Sequence, residues 1–143
     1  MRPMLACLLA AAALIGCRPE GGGGGPGAPR DPAQVAGVYY DALGRGLTRQ
    51  AYNLLGPDWR AAVPYEQFAR EFRDLRVSDF RDPTLIESSD RLAKVVVRVR
   101  ALPPHGAPRY YRNTLTLLRE PQSGQWIIAL ADSREIGEED YRE

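Results

Sequence analysis

Near residue 79 the apolar side chains change their spacing. Upstream, Val35, Val38, Tyr39, Ala42 and Leu43 recur at helical intervals, and so do Ala51, Tyr52 and Leu55, then Tyr65, Phe68, Phe72 and Leu75. Downstream, Val95, Val97 and Val99 alternate with Lys94, Arg98 and Arg100, the two-residue period of a strand with one buried face. A striped helix and a one-sided strand each need another layer to bury against. Helices in one block followed by strands in another exclude the βαβ alternation of parallel-sheet folds. The expected class is α+β, with three N-terminal helices packed on a curved antiparallel sheet of about four strands.

Local signals place the elements. Asp31-Pro32-Ala33-Gln34 reads as a helix start, with Asp as N-cap and Pro at the first helical position. Gly44 and Gly46 end that helix, Gly56-Pro57 end a second that begins at Thr48, and Pro64 opens a third. Residues 58–63 are expected to form a single helical turn. Strands are expected at 84–88, 92–101 (where Val96 breaks the alternation), 109–119 and 125–132. The loop LPPHGAP and the turn PQSG separate the last three. The acidic stretch 137–143 is expected to be disordered.

The first thirty residues belong to no fold. Arg2 precedes an uncharged apolar run from Met4 to Ile15, about 12 residues long, against the roughly 20 that a spanning helix requires. That length suits the apolar region of a secretory leader. Leu14-Ile15-Gly16-Cys17 resembles the bacterial lipobox. By that resemblance residues 1–16 are a lipoprotein signal peptide, cut between Gly16 and Cys17 once the Cys17 thiol carries diacylglycerol. One acyl chain holds a protein to a membrane only marginally, whereas two or three anchor it. Residues 17–30 are then the lipidated cysteine and its tether, and residues 18–30, which hold GGGGGPGAP, span roughly 20 Å as a flexible coil. Arg2 leaves with the leader, so the 19 basic side chains become 18, equal to the 18 acidic ones. A neutral domain does not suit nucleic acid. The expected location is the cell envelope, with Arg18 in place of an inner-membrane retention signal favouring the periplasmic face of the outer membrane.

The helices containing YYDAL and AYNLLGPDWR, followed by strands ending in GQWIIALAD, resemble the nuclear transport factor 2-like (cystatin-like) cone fold across residues 31–136. The resemblance implies a cone-like domain. Its relatives include binding modules, interaction domains and a minority of isomerases, dehydratases and hydrolases, and it also implies a homodimer through the outer sheet face. No catalytic motif of these relatives aligns residue by residue.

The search for chemistry is brief. His105 is the single histidine and lies in a Pro/Gly loop, Cys7 leaves with the leader, and Cys17 is consumed by lipid, so no His/Cys metal set can be assembled. No cofactor is expected. Tyr39, Tyr52, Trp59, Tyr111, Asn113, Trp126 and Asp132 are candidates to line a pocket for a small apolar ligand. If Trp126, Ile128 and Leu130 face inward, alternation carries Asp132 inward as well, where a desolvated carboxylate could serve as a general acid or base. Lys94, Arg98, Arg100 and Arg112 are candidates for an interaction face toward another envelope component. The expected function is therefore a membrane-anchored, non-catalytic binding or interaction module. The alternative is an enzyme built on a pocket carboxylate.

Overall fold

The computed structural model describes residues 31–143; the leader, Gly16, Cys17 and the glycine tether lie outside the described residues. Four helices come first: α1 (Pro32–Gly44), α2 (Thr48–Asn53), α3 (Pro57–Ala62) and α4 (Tyr65–Asp74). Strands β1 (Arg76–Ser88), β2 (Leu92–Leu102), β3 (Arg109–Arg119) and β4 (Trp126–Ile136) follow, and α5 (Glu138–Arg142) closes the chain. The strands form one antiparallel sheet in the order β1-β2-β3-β4. The class is thus α+β, with an open four-stranded sheet and five helices among the described residues.

Four helices precede the sheet rather than the expected three. The turn at 58–63 is a helix in its own right, started by Pro57 at its first position and closed by the Val63 amide donating to Trp59 O at 2.9 Å. Helix α1 begins as its sequence signals, with the Asp31 carboxylate accepting from the Gln34 amide at 2.9 Å. Past its end, Gly46 takes φ 77°, a left-handed turn that glycine adopts without strain. The α1 face carrying Val35, Ala36, Tyr39, Tyr40 and Leu43 is buried on the sheet.

On β2 the inward residues are Ala93, Val95, Val97, Val99 and Ala101, all within 2% of full burial, beside Leu115 and Leu117 of β3. Val96, which breaks the alternation, lies half-buried on the outer face of this central strand. Strand β1 starts at Arg76, well before the expected residue 84. Its pairing with β2 shifts between Val77 and Asp79, between Arg81 and Thr84, and between Leu85 and Glu87, and Asp82 sits at φ 52° before Pro83. Each shift resets the two-residue period, so the strand carries no clean alternation.

Strand β4 holds the decisive irregularity. Leu117 pairs with Ile128 but Thr116 pairs with Leu130, leaving Ala129 as one extra residue. A one-residue insertion moves every later side chain to the opposite face. Trp126 and Ile128 point inward before it; Ala131 and Ser133 point inward after it. At the same place the α2–α3 connection binds the strand, with the Gly56 amide donating to Ile128 O at 2.8 Å and the Ile128 amide to Leu54 O at 2.9 Å. A Cβ on Gly56 would come within 3.1 Å of the Ile127 side chain, so a larger residue there would need the Ile127 side-chain tip to shift slightly.

Residues 137–143, expected to be disordered, instead form α5 against the outer face of the sheet. Tyr141 is 3% exposed, its ring 5.1 Å from that of Tyr110, and its hydroxyl donates to Asp79 Oδ2 at 2.6 Å. Two arginines reach the backbone of α5: Arg98 Nη1 donates to Asp140 O at 3.0 Å and Arg81 Nη1 to Arg142 O at 3.4 Å. Carbonyls near a helix C-terminus carry partial negative charge, which suits arginines beneath them. One buried ring and these charge contacts are what hold an acidic five-residue segment in place.

Candidate functional site

Between the helices and the inner sheet face lies a cavity of about 380 Å³. Tyr39 and Tyr40 reach it from α1, Trp59 from α3, and Phe68, Glu71 and Phe72 from α4. Val99, Tyr111, Asn113, Ala131 and Ser133 form the sheet wall. The helical residues share one stripe each, which is why the same spacing that builds the core also delivers rings to the cavity. Tyr39 and Tyr40 meet edge-to-face at 5.0 Å, and Phe68 and Phe72 lie 4.8 Å apart.

The polar group in this aromatic chamber is an amide. Asn113 is 9% exposed; its Nδ2 donates to Tyr40 Oη at 2.9 Å, and its buried Oδ1 has no hydrogen-bond partner among the described residues. Tyr40 thus serves the amine end of the amide, and the carbonyl end stays unpaired. Burial pushes the Tyr39 phenol well above its ordinary range, with the neighbouring Tyr40 and the Glu71 carboxylate adding to the shift. Burial also raises Tyr40, against a smaller opposing effect of the Asn113 hydrogen bond. Both phenols therefore keep their protons. Glu71 is exposed at the rim and supplies the one formal charge in the lining, which contains no Arg or Lys.

Of the residues expected to line a pocket, the structure brings together Tyr39, Trp59, Tyr111 and Asn113. Tyr52 is elsewhere: it is a core ring whose hydroxyl donates to Arg60 O at 3.0 Å and Val63 O at 2.8 Å, tying down the end of α3. Trp126 is buried at the far end of β4, with the Arg119 guanidinium 5.2 Å from its ring centre. Asp132 is not in the cavity. The extra residue at Ala129 turns it onto the exposed outer face opposite Thr114, and Leu130, expected inward, is 59% exposed. The carboxylate that does reach the cavity is Glu71. Its signal was present in the sequence, since Phe68, Glu71, Phe72 and Leu75 share one helical stripe. Ser133 needed the bulge to be seen, and no sequence pattern announces it.

Lys94, Arg98, Arg100 and Arg112 do share the outer sheet face, but most are engaged. Lys94 pairs with Glu87 at 3.2 Å, Arg98 with Asp82 at 2.7 Å, and Arg100 donates to Ser78 Oγ at 3.2 Å. The register lines up Arg81, Arg98, Arg112 and Arg134 in a row across all four strands. Like charges placed directly opposite each other repel. Asp82 and the carbonyls of α5 offset that repulsion on the β1–β2 side, so α5 covers part of what the sequence suggested as an open interaction surface. His105 is exposed in the β2–β3 loop. Among the described residues no group of three or more His, Cys, Asp or Glu side chains could hold a metal, and no helix is long and apolar enough to cross a membrane.

No protein-family model matches the chain, and no curated protein matches it in sequence.

Proposed function

We propose that this chain is a lipid-anchored lipoprotein of the bacterial envelope, and that its domain is a non-catalytic binding module of the nuclear transport factor 2-like, cone-like type. The cavity is its ligand site. Its ligand is small and largely apolar, and carries at least one hydrogen-bond donor. The observation that carries this reading is the unpaired end of the Asn113 amide in an aromatic cavity of about 380 Å³. An unmade hydrogen bond at a buried amide costs about 1–3 kcal/mol, and a ligand hydroxyl or amine that reached it would recover that cost. Pockets that bind small molecules combine apolar walls with a few placed polar groups, which describes this cavity. The support for the anchor is the leader, the Leu14-Ile15-Gly16-Cys17 sequence and the glycine tether.

Two measurements test the proposal. Native mass spectrometry and solvent extraction of protein purified from its own envelope should recover a bound small molecule from the wild type and not from Asn113→Leu; an empty wild-type cavity refutes the ligand-binding role. Cys17→Ser should abolish incorporation of labelled fatty acid and release the protein from the membrane fraction. A variant that stays membrane-bound and acylated refutes the anchor.

A further inference from the structure

We infer that the ligand of this cavity is an organic cation, a quaternary ammonium or a protonated amine. The inference rests on the reading of the cavity as a ligand site and adds the charge of the ligand. The chain contains 18 arginines, yet none lines the cavity, and the one charged side chain that does is the Glu71 carboxylate. The walls present Tyr39, Tyr40, Trp59, Phe68, Phe72 and Tyr111, and among the described residues Tyr111 is the one of these rings that carries a guanidinium, that of Arg109 at 5.6 Å. Elsewhere the chain does stack arginines on rings: Arg49 lies 3.5 Å from the centre of Tyr65, and Arg119 5.2 Å from that of Trp126. The half-buried rings of the lining are Trp59, Phe72 and Tyr111, and ring faces attract cations.

The remaining polar groups agree. The Ser133 hydroxyl can accept from the N–H of a protonated amine, and Glu71 at the rim offers a counter-charge to either kind of cation. Burial keeps both phenols neutral, so they add no negative charge beside that of Glu71. An anionic ligand would meet a carboxylate and an amide carbonyl with no positive partner. A neutral ligand could donate a hydrogen bond to Glu71 but would gain no ion pairing from it.

The test titrates the full protein with choline and with its uncharged carbon isostere, dimethylbutanol, by calorimetry and by tryptophan fluorescence reporting on Trp59. The expected result is that choline binds about tenfold or more tightly than the isostere, the size of one desolvated cation–aromatic contact. That advantage should shrink as salt is raised. Glu71→Gln, at an exposed position that leaves the fold intact, should weaken choline several-fold and leave the isostere unchanged. Trp59→Leu should remove part of the same preference. Equal or tighter binding of the isostere overturns the cation assignment and leaves the ligand-binding role standing. Tighter binding of a carboxylate of the same size also overturns it. If neither charged nor neutral probes bind, both the assignment and the ligand-binding role fall.

Discussion

Replacing Asn113 and Tyr40 together by Leu and Phe should make the protein more stable. In the folded protein the pair makes one hydrogen bond, Nδ2 to Oη at 2.9 Å, and leaves one buried amide end unmade. Asn113→Leu alone removes the unmade group, but it orphans the Tyr40 hydroxyl on a side chain that is 3% exposed. The two effects are each about 1–3 kcal/mol and opposed, so the single variant should stay within about 1 kcal/mol of wild type. Tyr40→Phe alone takes away the partner of a buried amide that is already short of one, and should cost about 1–3 kcal/mol. The double variant removes every polar atom of the pair. It loses one hydrogen bond of about 1 kcal/mol net and recovers the penalty of the unmade one, for a gain of up to about 2 kcal/mol. In a domain of this size that raises Tm by about 4–8 °C for each kcal/mol. Urea unfolding followed by tryptophan fluorescence gives the four stabilities, and the cycle should show strong non-additivity. A double variant less stable than wild type by more than about 1 kcal/mol would refute the reasoning, because the amide would then be fully satisfied in the folded state. Stability withheld at a binding site is a common consequence of keeping that site competent.

Two further outcomes follow from the packing. Leu115→Ala, at a fully buried position on the inner sheet face, should cost about 2–5 kcal/mol with an unchanged denaturant slope; a loss below about 1 kcal/mol would mean the helical layer collapses onto the gap. The docking of α5 should fail in alkali: the Tyr141 phenol is pushed from 10.0 to about 12, by burial first and by its hydrogen bond to Asp79 second. The folded state thus favours the protonated phenol, so its contribution is complete below pH 10.0 and disappears as the pH rises toward about 12. Hydrogen exchange across residues 137–143 should accelerate over that interval, and Tyr141→Phe should remove the pH dependence of α5 release. An exchange profile identical in the two proteins would count against the contact.

How much of the cavity was legible depended on which layer supplied each residue. Tyr39, Tyr111 and Asn113 could be named from spacing because each lies in an element whose period runs unbroken. Glu71 was readable in the same way, on the stripe of Phe68 and Phe72, and was passed over because a charged residue on an amphipathic helix usually faces water. Tyr52 and Trp126 have the same chemistry as the cavity rings, and only the packing of α3 and the far end of β4 assigns them to the core. Asp132 was misplaced for a single reason. Alternation was extrapolated across Ala129, and a one-residue bulge inverts it.

The order of elements, the start of α1 at Asp31 and the buried face of β2 were determined by the sequence alone. So was the near balance of charge, 19 basic side chains against 18 acidic ones in the chain. These depend on interactions between residues a few positions apart or on composition, and such interactions leave a periodic or capping signature. The tertiary structure decided the rest. Where β1 and β4 slip in register depends on partners far along the chain. Whether the acidic segment 137–143 orders depends on an arginine row that only strand pairing assembles. Which rings enclose empty space and which fill the core depends on how two layers meet. Each of these is a long-range event, and none of them writes a local pattern.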